Sequence, residues 1–106
     1  MAAARKELIW TSKSRRDLID IWKYFAETAS SEIADKVLRD IGLAAGRLAD
    51  HPFLGRPRAD IADGLRSILA PPHLIIYRVG ESHVEIARVL HERRDIPAAF
   101  SEHRKP

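Results

Sequence analysis

The sequence predicts an α+β domain in which a helical hairpin covers one face of an antiparallel sheet. Two apolar stripes with helical spacing lie in the first half of the chain, separated by a short polar break. Three short β-prone runs fill the second half, with proline or glycine turns between them. A further β-prone segment precedes the first stripe. These observations together predict the order β-α-α-β-β-β, with a short helix at the C-terminus.

The first strand and the first helix are predicted near the N-terminus. Residues 7–11 are short, apolar and β-prone, which favours a strand. Ser12 and Ser14 offer N-caps for the helix that follows, and Asp17 stands three residues after Ser14, the spacing of a capping box. The apolar stripe of this amphipathic helix then recurs at Leu18, Ile21, Trp22 and Phe25.

A second helix is predicted after a short break. Residues 28–31 interrupt the first stripe and supply a new N-cap. The second stripe follows at Ile33, Val37, Leu38, Ile41, Ala45 and Leu48. His51 and Pro52 end this helix, because the residue before a proline disfavours the α region. The connection between the two helices is so short that we expect an antiparallel hairpin.

The second half of the chain is predicted to be a loop followed by a three-stranded antiparallel meander. Prolines and glycines make residues 52–64 a loop. The strands are rich in β-branched and aromatic residues and cover residues 65–70, 74–79 and 84–90. Asp95 is placed to cap a short last helix. We therefore expect one domain over residues 1–106, with a polar tail at about 101–106.

Both faces of the predicted sheet carry apolar residues. The middle strand has apolar residues on both sides, at Leu74, Ile75, Ile76 and Tyr77. In the last strand, one side is predicted to carry Val84, Ile86, Arg88 and Leu90. The hairpin can cover one face, and the second cover is the C-terminal segment, another subunit or a different protein. Since large apolar patches mark interaction sites, this pattern predicts a protein-binding surface.

Composition limits the class of protein. Hydrophobic residues make up 45% and charged residues 31%, with a formal net charge of +3, as in an ordinary soluble domain. The chain has no cysteine, which removes disulfides, thiol catalysis and most structural zinc sites. No stretch approaches the length of a membrane span, and the first residues lack the apolar segment of a signal peptide. We expect a cytoplasmic protein with no membrane association.

The sequence contains no motif for a metal or cofactor site. None of the five histidines forms H-E-x-x-H or has a ligand partner at helical metal spacing. Isolated glycines make neither a P-loop nor a dinucleotide fingerprint, and G-x-S-x-G is absent. We therefore expect no metal and no cofactor.

The residues that could carry chemistry are basic and follow residue 50. They are Arg56, Arg58, Arg66, Arg78, Arg88, His91, Arg93 and Arg94, with Tyr77 among them. One interpretation is a metal-independent ribonuclease, which needs a base for the 2′-hydroxyl proton, cations for the phosphate and an acid for the leaving oxygen. The other is structural or partner-facing arginine. Glu92 and Asp95, which flank Arg93 and Arg94, favour the second interpretation.

Several motifs, in this order and spacing, resemble the ParE branch of the RelE/ParE toxin superfamily. They are residues 16–24 (RDLIDIWKY), 48–56 (LADHPFLGR), 64–66 (GLR), 73–78 (HLIIYR) and 84–91 (VEIARVLH), followed by Arg94 and Asp95. Each motif is weak alone, but the resemblance covers roughly residues 7–97. It implies the βααβββ fold with a C-terminal helix, in agreement with the periodicities.

The resemblance also implies a function and partners. It implies a non-enzymatic protein toxin that inhibits DNA gyrase, with no cofactor and no direct, specific DNA binding. It implies a hetero-oligomer with a ParD-like antitoxin, whose C-terminal segment wraps the toxin and covers its apolar surface. The residues that we expect to contact target or antitoxin are Arg66, Tyr77, Arg78, Arg88, His91, Arg93 and Arg94.

The RelE branch, whose members cut mRNA in the ribosome, gives the alternative function. RelE-type enzymes carry an arginine early in the strand that here covers residues 74–79, and catalytic basic and aromatic groups toward the C-terminus. The matching positions here hold Leu74, Glu92, Ala98 and Ala99. A carboxylate or a methyl group cannot stabilise phosphate charge, which argues against RNA cleavage. A ribosome-dependent endoribonuclease would have to use His91, Arg88 and Arg94.

Overall fold

The predicted order of helices and strands matches the structure. The computed structural model describes residues 5–101. Over that range the elements are β1 (Glu7–Trp10), α1 (Ser12–Thr28), α2 (Ser31–Asp50), β2 (Arg56–Pro57), β3 (Leu65–Ala70), β4 (His73–Val79), β5 (His83–His91) and α3 (Ile96–Ser101). The predicted fold class is confirmed, with one short strand, β2, added inside the predicted loop. The predicted polar tail lies, from residue 102 on, outside the described residues. None of the described helices is long and apolar enough to span a membrane.

Within residues 5–101, the strands form one sheet in the order β1-β5-β4-β3-β2. β3, β4 and β5 make the antiparallel meander that the sequence predicts. β1 instead lies parallel to β5 at the sheet edge, with Glu7 opposite His83 and Trp10 opposite Ile86. The sheet is therefore mixed, because the long connection through the hairpin and the meander returns the chain in the direction of β1.

Hydroxyl side chains cap both helices of the hairpin. Thr11 Oγ1 accepts a hydrogen bond from the N–H of Ser14 at 3.1 Å, and Ser30 Oγ accepts one from the N–H of Ile33 at 3.1 Å. The cap of α1 therefore precedes both serines that the sequence favours. Asp17, predicted to complete a capping box, makes a different contact that joins α1 to the sheet.

The main core lies between the hairpin and the sheet. Ile41 and Leu48 of α2 are fully buried there against Ile75, Tyr77 and Ile86 of the sheet. Each large apolar side chain buried in this way contributes about 1.5–3 kcal/mol relative to its exposed state. The helical stripe of α2 therefore packs as the sequence predicts.

A β-bulge changes the side that the second half of β5 faces. The register with β4 shifts between Ile76 and Tyr77, so β5 has one extra residue at that point. As a result Ile86 packs beneath the hairpin, whereas Leu90 belongs to the opposite face. The predicted alternation, which places these two residues on one side, is wrong beyond the bulge.

The C-terminal segment covers much of the second apolar face. Leu65, Ile76 and Leu90 of the sheet pack with Ile96 and Ala99 of α3, and all five are buried. The sequence allows the C-terminal segment, another subunit or a different protein to cover this face, and the structure shows the C-terminal segment there.

Candidate functional site

The residues predicted to bind a target or an antitoxin do not form one site. The structure divides most of them among the loop after α2 (Arg66, Tyr77), the contact between α1 and β5 (Arg88) and a cleft at the end of β5 (His91, Arg94). The other two, Arg78 and Arg93, are exposed. Arg78 Nη2 donates to the carbonyl of Asp63 at 3.4 Å, near the start of β3.

Tyr77 lies in the core and holds the loop of residues 52–55, called the 52–55 loop below. Its ring is fully buried, which removes the ring from any partner surface. Its Oη donates to the carbonyl of Pro52 at 2.8 Å and accepts from the N–H of Gly55 at 2.8 Å. Releasing the loop would leave the buried Tyr77 Oη unpaired, which is costly, so the two hydrogen bonds hold the loop against β4.

Arg66 holds the same loop from the neighbouring strand. Its Nε donates to the carbonyl of Gly55 at 2.9 Å, and its Nη2 donates to the carbonyl of Phe53 at 3.3 Å. Its guanidinium also lies over the Phe53 ring, with Cζ 5.2 Å from the ring centroid, a cation–π distance. Arg66 therefore positions the loop and its aromatic side chain.

Arg88 forms a buried, bidentate ion pair with Asp17. The Nε–Oδ2 distance is 2.8 Å, the Nη2–Oδ1 distance is 2.9 Å, and each side chain is only 9% exposed. The same carboxylate accepts from the backbone N–H of Val89 at 2.9 Å. Bidentate charge-assisted hydrogen bonds are strong and directional, so this pair fixes the start of α1 against β5.

A cleft of about 400 Å³ opens between α1 and the ends of β4 and β5. Its polar and aromatic lining residues are Asp20, Tyr24, Phe25, His73, His91 and Arg94. The sequence singles out only the last two of these as site residues. The α1 side of the cleft was missed because spacing along the chain does not show that α1 meets the end of β5.

His73 is the buried titratable group of the cleft. Its ring packs edge-on against Phe25 and His91, with centroids 6.2 and 5.9 Å away, and its Nδ1 has no hydrogen-bond partner among the described residues. Burial, and then the charge of His91, lower the pKa of His73 below its ordinary value. No three metal-ligating side chains among residues 5–101 lie close enough together to hold a metal ion.

The wild-type protein is expected to lose stability at acid pH because of His73, and His73→Phe is expected to lose less. Because the folded-state pKa is lowered, the unfolded chain takes up this proton at a higher pH than the folded chain does. The wild-type free energy of unfolding should therefore fall as the pH drops from about 7 to about 5, through the ordinary histidine pKa. Phenylalanine keeps a ring of similar shape and binds no proton.

Urea unfolding at several pH values measures this effect, with His51→Gln as the control at an exposed histidine. The pH dependence should be weaker in His73→Phe than in His51→Gln. Identical pH profiles for wild type and His73→Phe would show that His73 titrates alike in the folded and unfolded chains.

An apolar recess of about 270 Å³ lies between the two helices of the hairpin. It is lined by Leu18, Ile19, Trp22, Lys23 and Leu38. Ile19 is half-exposed and lies outside the apolar stripe that the sequence assigns to α1. Trp22 is fixed across the hairpin, because its Nε1 donates to Asp35 Oδ1 at 2.8 Å. The recess, called the hairpin recess below, is a preformed apolar surface that periodicity alone does not reveal.

Solved structures share this arrangement of hairpin and sheet. One, described as the chromosomal ParDE TA system from P. aeruginosa, matches with a TM-score of 0.74 and 24% identity, covering 84% of this chain and 98% of that chain. A YoeB/ParE toxin from Agrobacterium tumefaciens matches with a TM-score of 0.57 and 22% identity, covering 80% and 96%. The fold is that of the RelE/ParE class of toxins.

Sequence comparison narrows the class to a family. The family model described as ParE toxin of type II toxin-antitoxin system, parDE, matches residues 8–96. Toxin ParE1 of Caulobacter vibrioides is 35% identical over 80 residues, which cover 76% of this chain and 82% of that protein. Toxin ParE1 of Mycobacterium tuberculosis is also 35% identical over 80 residues, covering 74% and 82%. The chain belongs to the ParE toxin family of type II toxin–antitoxin systems.

Proposed function

We propose that this ParE-family toxin binds and inhibits DNA gyrase, and that a ParD-like antitoxin neutralises it. The observation that carries the proposal is the family match over residues 8–96, which includes both helices of the hairpin and the whole meander. In this proposal the toxin acts through a protein surface and carries out no reaction of its own.

The placement of the basic residues supports binding rather than catalysis. A ribonuclease mechanism would need His91, Arg88 and Arg94 around one phosphate. Arg88 is instead paired with Asp17 in the interior, whereas His91 and Arg94 line the cleft. Arg66 is likewise engaged with the 52–55 loop. Cations that stabilise the chain's own helices and loops suit a protein that presents a fixed surface to a partner.

Inducing the toxin alone in a bacterial host tests this proposal against the ribonuclease alternative. We expect growth arrest with broken DNA and intact mRNA, and we expect growth to return when the antitoxin is co-expressed. Cleavage of mRNA at ribosomal A sites, with intact DNA, would contradict the proposal and support the alternative.

The hairpin recess is the surface that we assign to the antitoxin. An apolar groove between helices accepts the apolar face of an amphipathic segment, with residues at helical spacing as anchors. Exposed Arg15, Arg16 and Lys23 on α1 favour a segment with acidic residues. The recess is outside the area that α3 covers, so it stays open in the folded chain.

Introducing a charge into the recess is expected to weaken antitoxin binding. Ile19→Asp should raise the Kd by about tenfold or more, because it replaces an apolar contact with a carboxylate that must be desolvated in the interface and that repels the acidic residues of the bound segment. Leu43→Asp is the matched control, since Leu43 is 71% exposed on α2 and does not line the recess. Calorimetric titration measures both affinities, with circular dichroism to confirm folding. Equal affinities for the two variants would remove the recess from the antitoxin interface.

A further inference from the structure

The tip of the 52–55 loop exposes two large apolar side chains that the proposed antitoxin surface does not use. Phe53 is 66% exposed and Leu54 is 46% exposed. They are adjacent in sequence and precede the two-residue strand β2. Neither lines the hairpin recess or the cleft at the end of β5.

The loop is held far more firmly than an ordinary surface loop. The carbonyls of Pro52, Phe53 and Gly55 and the N–H of Gly55 all bond to side chains of the sheet. The N–H of Leu54 donates to the carbonyl of His51 at 3.1 Å, which closes the turn. Because these contacts already order the loop, binding through its tip would lose little conformational entropy.

The charges around the tip are mainly positive. Arg56 is exposed two residues after Leu54, and the Arg66 guanidinium lies on one face of the Phe53 ring. The acidic residue just before the loop, Asp50, lies 3.7 Å from Arg5 in an exposed ion pair. An apolar tip beside two arginines complements an apolar recess with an acidic rim.

We propose that Phe53 and Leu54 form a preorganised anchor that enters such an acid-rimmed apolar recess on the toxin's target protein. This inference rests on the proposed function, in which the target is a protein, with gyrase as the candidate. A protein fits better than a nucleic acid, because Leu54 offers no stacking plane and the guanidinium already occupies one face of Phe53.

The anchor follows the C-terminal end of α2, whereas the antitoxin surface lies beside the first half of that helix. Leu38 lines the hairpin recess, and the loop begins after His51. A rise of about 1.5 Å per residue puts these positions about 20 Å apart along the helix axis. An antitoxin segment seated in the recess therefore does not need to contact the anchor. Substitutions at the anchor should separate target binding from antitoxin binding.

The double variant Phe53→Ser with Leu54→Ser tests the anchor, and Leu43→Ser is the matched control at another exposed apolar residue. Three quantities are measured: affinity for purified gyrase, affinity for the antitoxin, and growth arrest on induction. We expect the double variant to bind gyrase about tenfold or more weakly and to lose growth arrest. Antitoxin affinity and the melting temperature should match those of Leu43→Ser.

If the double variant binds gyrase and arrests growth as strongly as the wild type, the proposed anchor is wrong. An equal loss of antitoxin affinity would also overturn it, because that loss would place the loop in that interface. A wild-type toxin that arrests growth without binding gyrase would overturn gyrase as the target. The anchor is then judged on growth arrest alone. A wild-type toxin that neither arrests growth nor binds gyrase would overturn both proposals.

Discussion

Replacing Asp17 by alanine is expected to lower the free energy of unfolding by about 3–5 kcal/mol, a large part of the stability of a small domain. The truncation removes the carboxylate that binds both Nε and Nη2 of Arg88, in a site where that side chain is 9% exposed. It also removes the acceptor of the Val89 N–H. A buried charge that loses its counterion has no water to replace it, so the cost exceeds that of a surface pair.

Urea unfolding of the single and double variants measures the effect. Asp17→Leu combined with Arg88→Met should recover much of the loss, because a buried pair is often replaceable by apolar side chains of similar volume. Lys36→Ala is the matched control, since it breaks an exposed pair with Asp40 and should cost less than about 1 kcal/mol. If Asp17→Ala costs no more than Lys36→Ala, the buried pair contributes little to the fold.

The same series tests the role of Arg88 in toxicity. The sequence assigns Arg88 to target or antitoxin binding, whereas its contacts in the structure join α1 to β5. We therefore expect Arg88→Ala to reduce toxicity through stability, and the paired double variant to regain toxicity as it regains stability. A stable but non-toxic double variant would show that Arg88 acts in target or antitoxin binding, as the sequence predicts.

Gly55→Ala is expected to destabilise the fold by about 1–3 kcal/mol or more and to reduce toxicity by displacing the 52–55 loop. A Cβ at this position would lie 2.6 Å from the Ser67 carbonyl oxygen and 2.6 Å from Tyr77 Oη. Tyr77 Oη cannot move away without stretching its hydrogen bonds to Pro52 and to Gly55 itself. The new methyl group must therefore push the loop off the sheet.

Gly42→Ala is the matched control for this substitution. A Cβ at Gly42 would meet no other part of residues 5–101 within 4 Å beyond its chain neighbours and its own helix backbone, and the residue lies in the interior of α2. Alanine there should stabilise the protein by about 0.5–1 kcal/mol, since glycine loses more backbone entropy in a helix. Thermal unfolding of both variants gives the comparison. A Gly55→Ala protein as stable as Gly42→Ala would show that the loop is loosely held.

Local patterns predict most of the fold, and long-range pairing explains what they miss. The two apolar stripes and the three β-prone runs give the hairpin and the meander, because each depends on residues close in sequence. The partner of β1 is β5, more than seventy residues later, and no local pattern encodes that parallel pairing. The bulge in β5 likewise arises from its fit to β4, so strict alternation fails there.

The candidate surfaces are less predictable for the same reason. Asp17 has the spacing of a capping residue, but its partner Arg88 is seventy-one positions away. Tyr77 and Arg66 belong to motifs on which the predicted resemblance rests, yet their contacts with the 52–55 loop depend on the fold. The exposure of Phe53 and Leu54 follows from that loop geometry, and apolar residues beside a proline give no such signal in the sequence.

The most direct test of the central claim is gyrase-catalysed supercoiling of relaxed plasmid with purified toxin, with and without its antitoxin. A gyrase-binding toxin that carries out no reaction of its own should inhibit supercoiling or trap cleaved DNA, and the antitoxin should relieve the effect. Unchanged supercoiling by a folded toxin that still binds its antitoxin would contradict gyrase as the target.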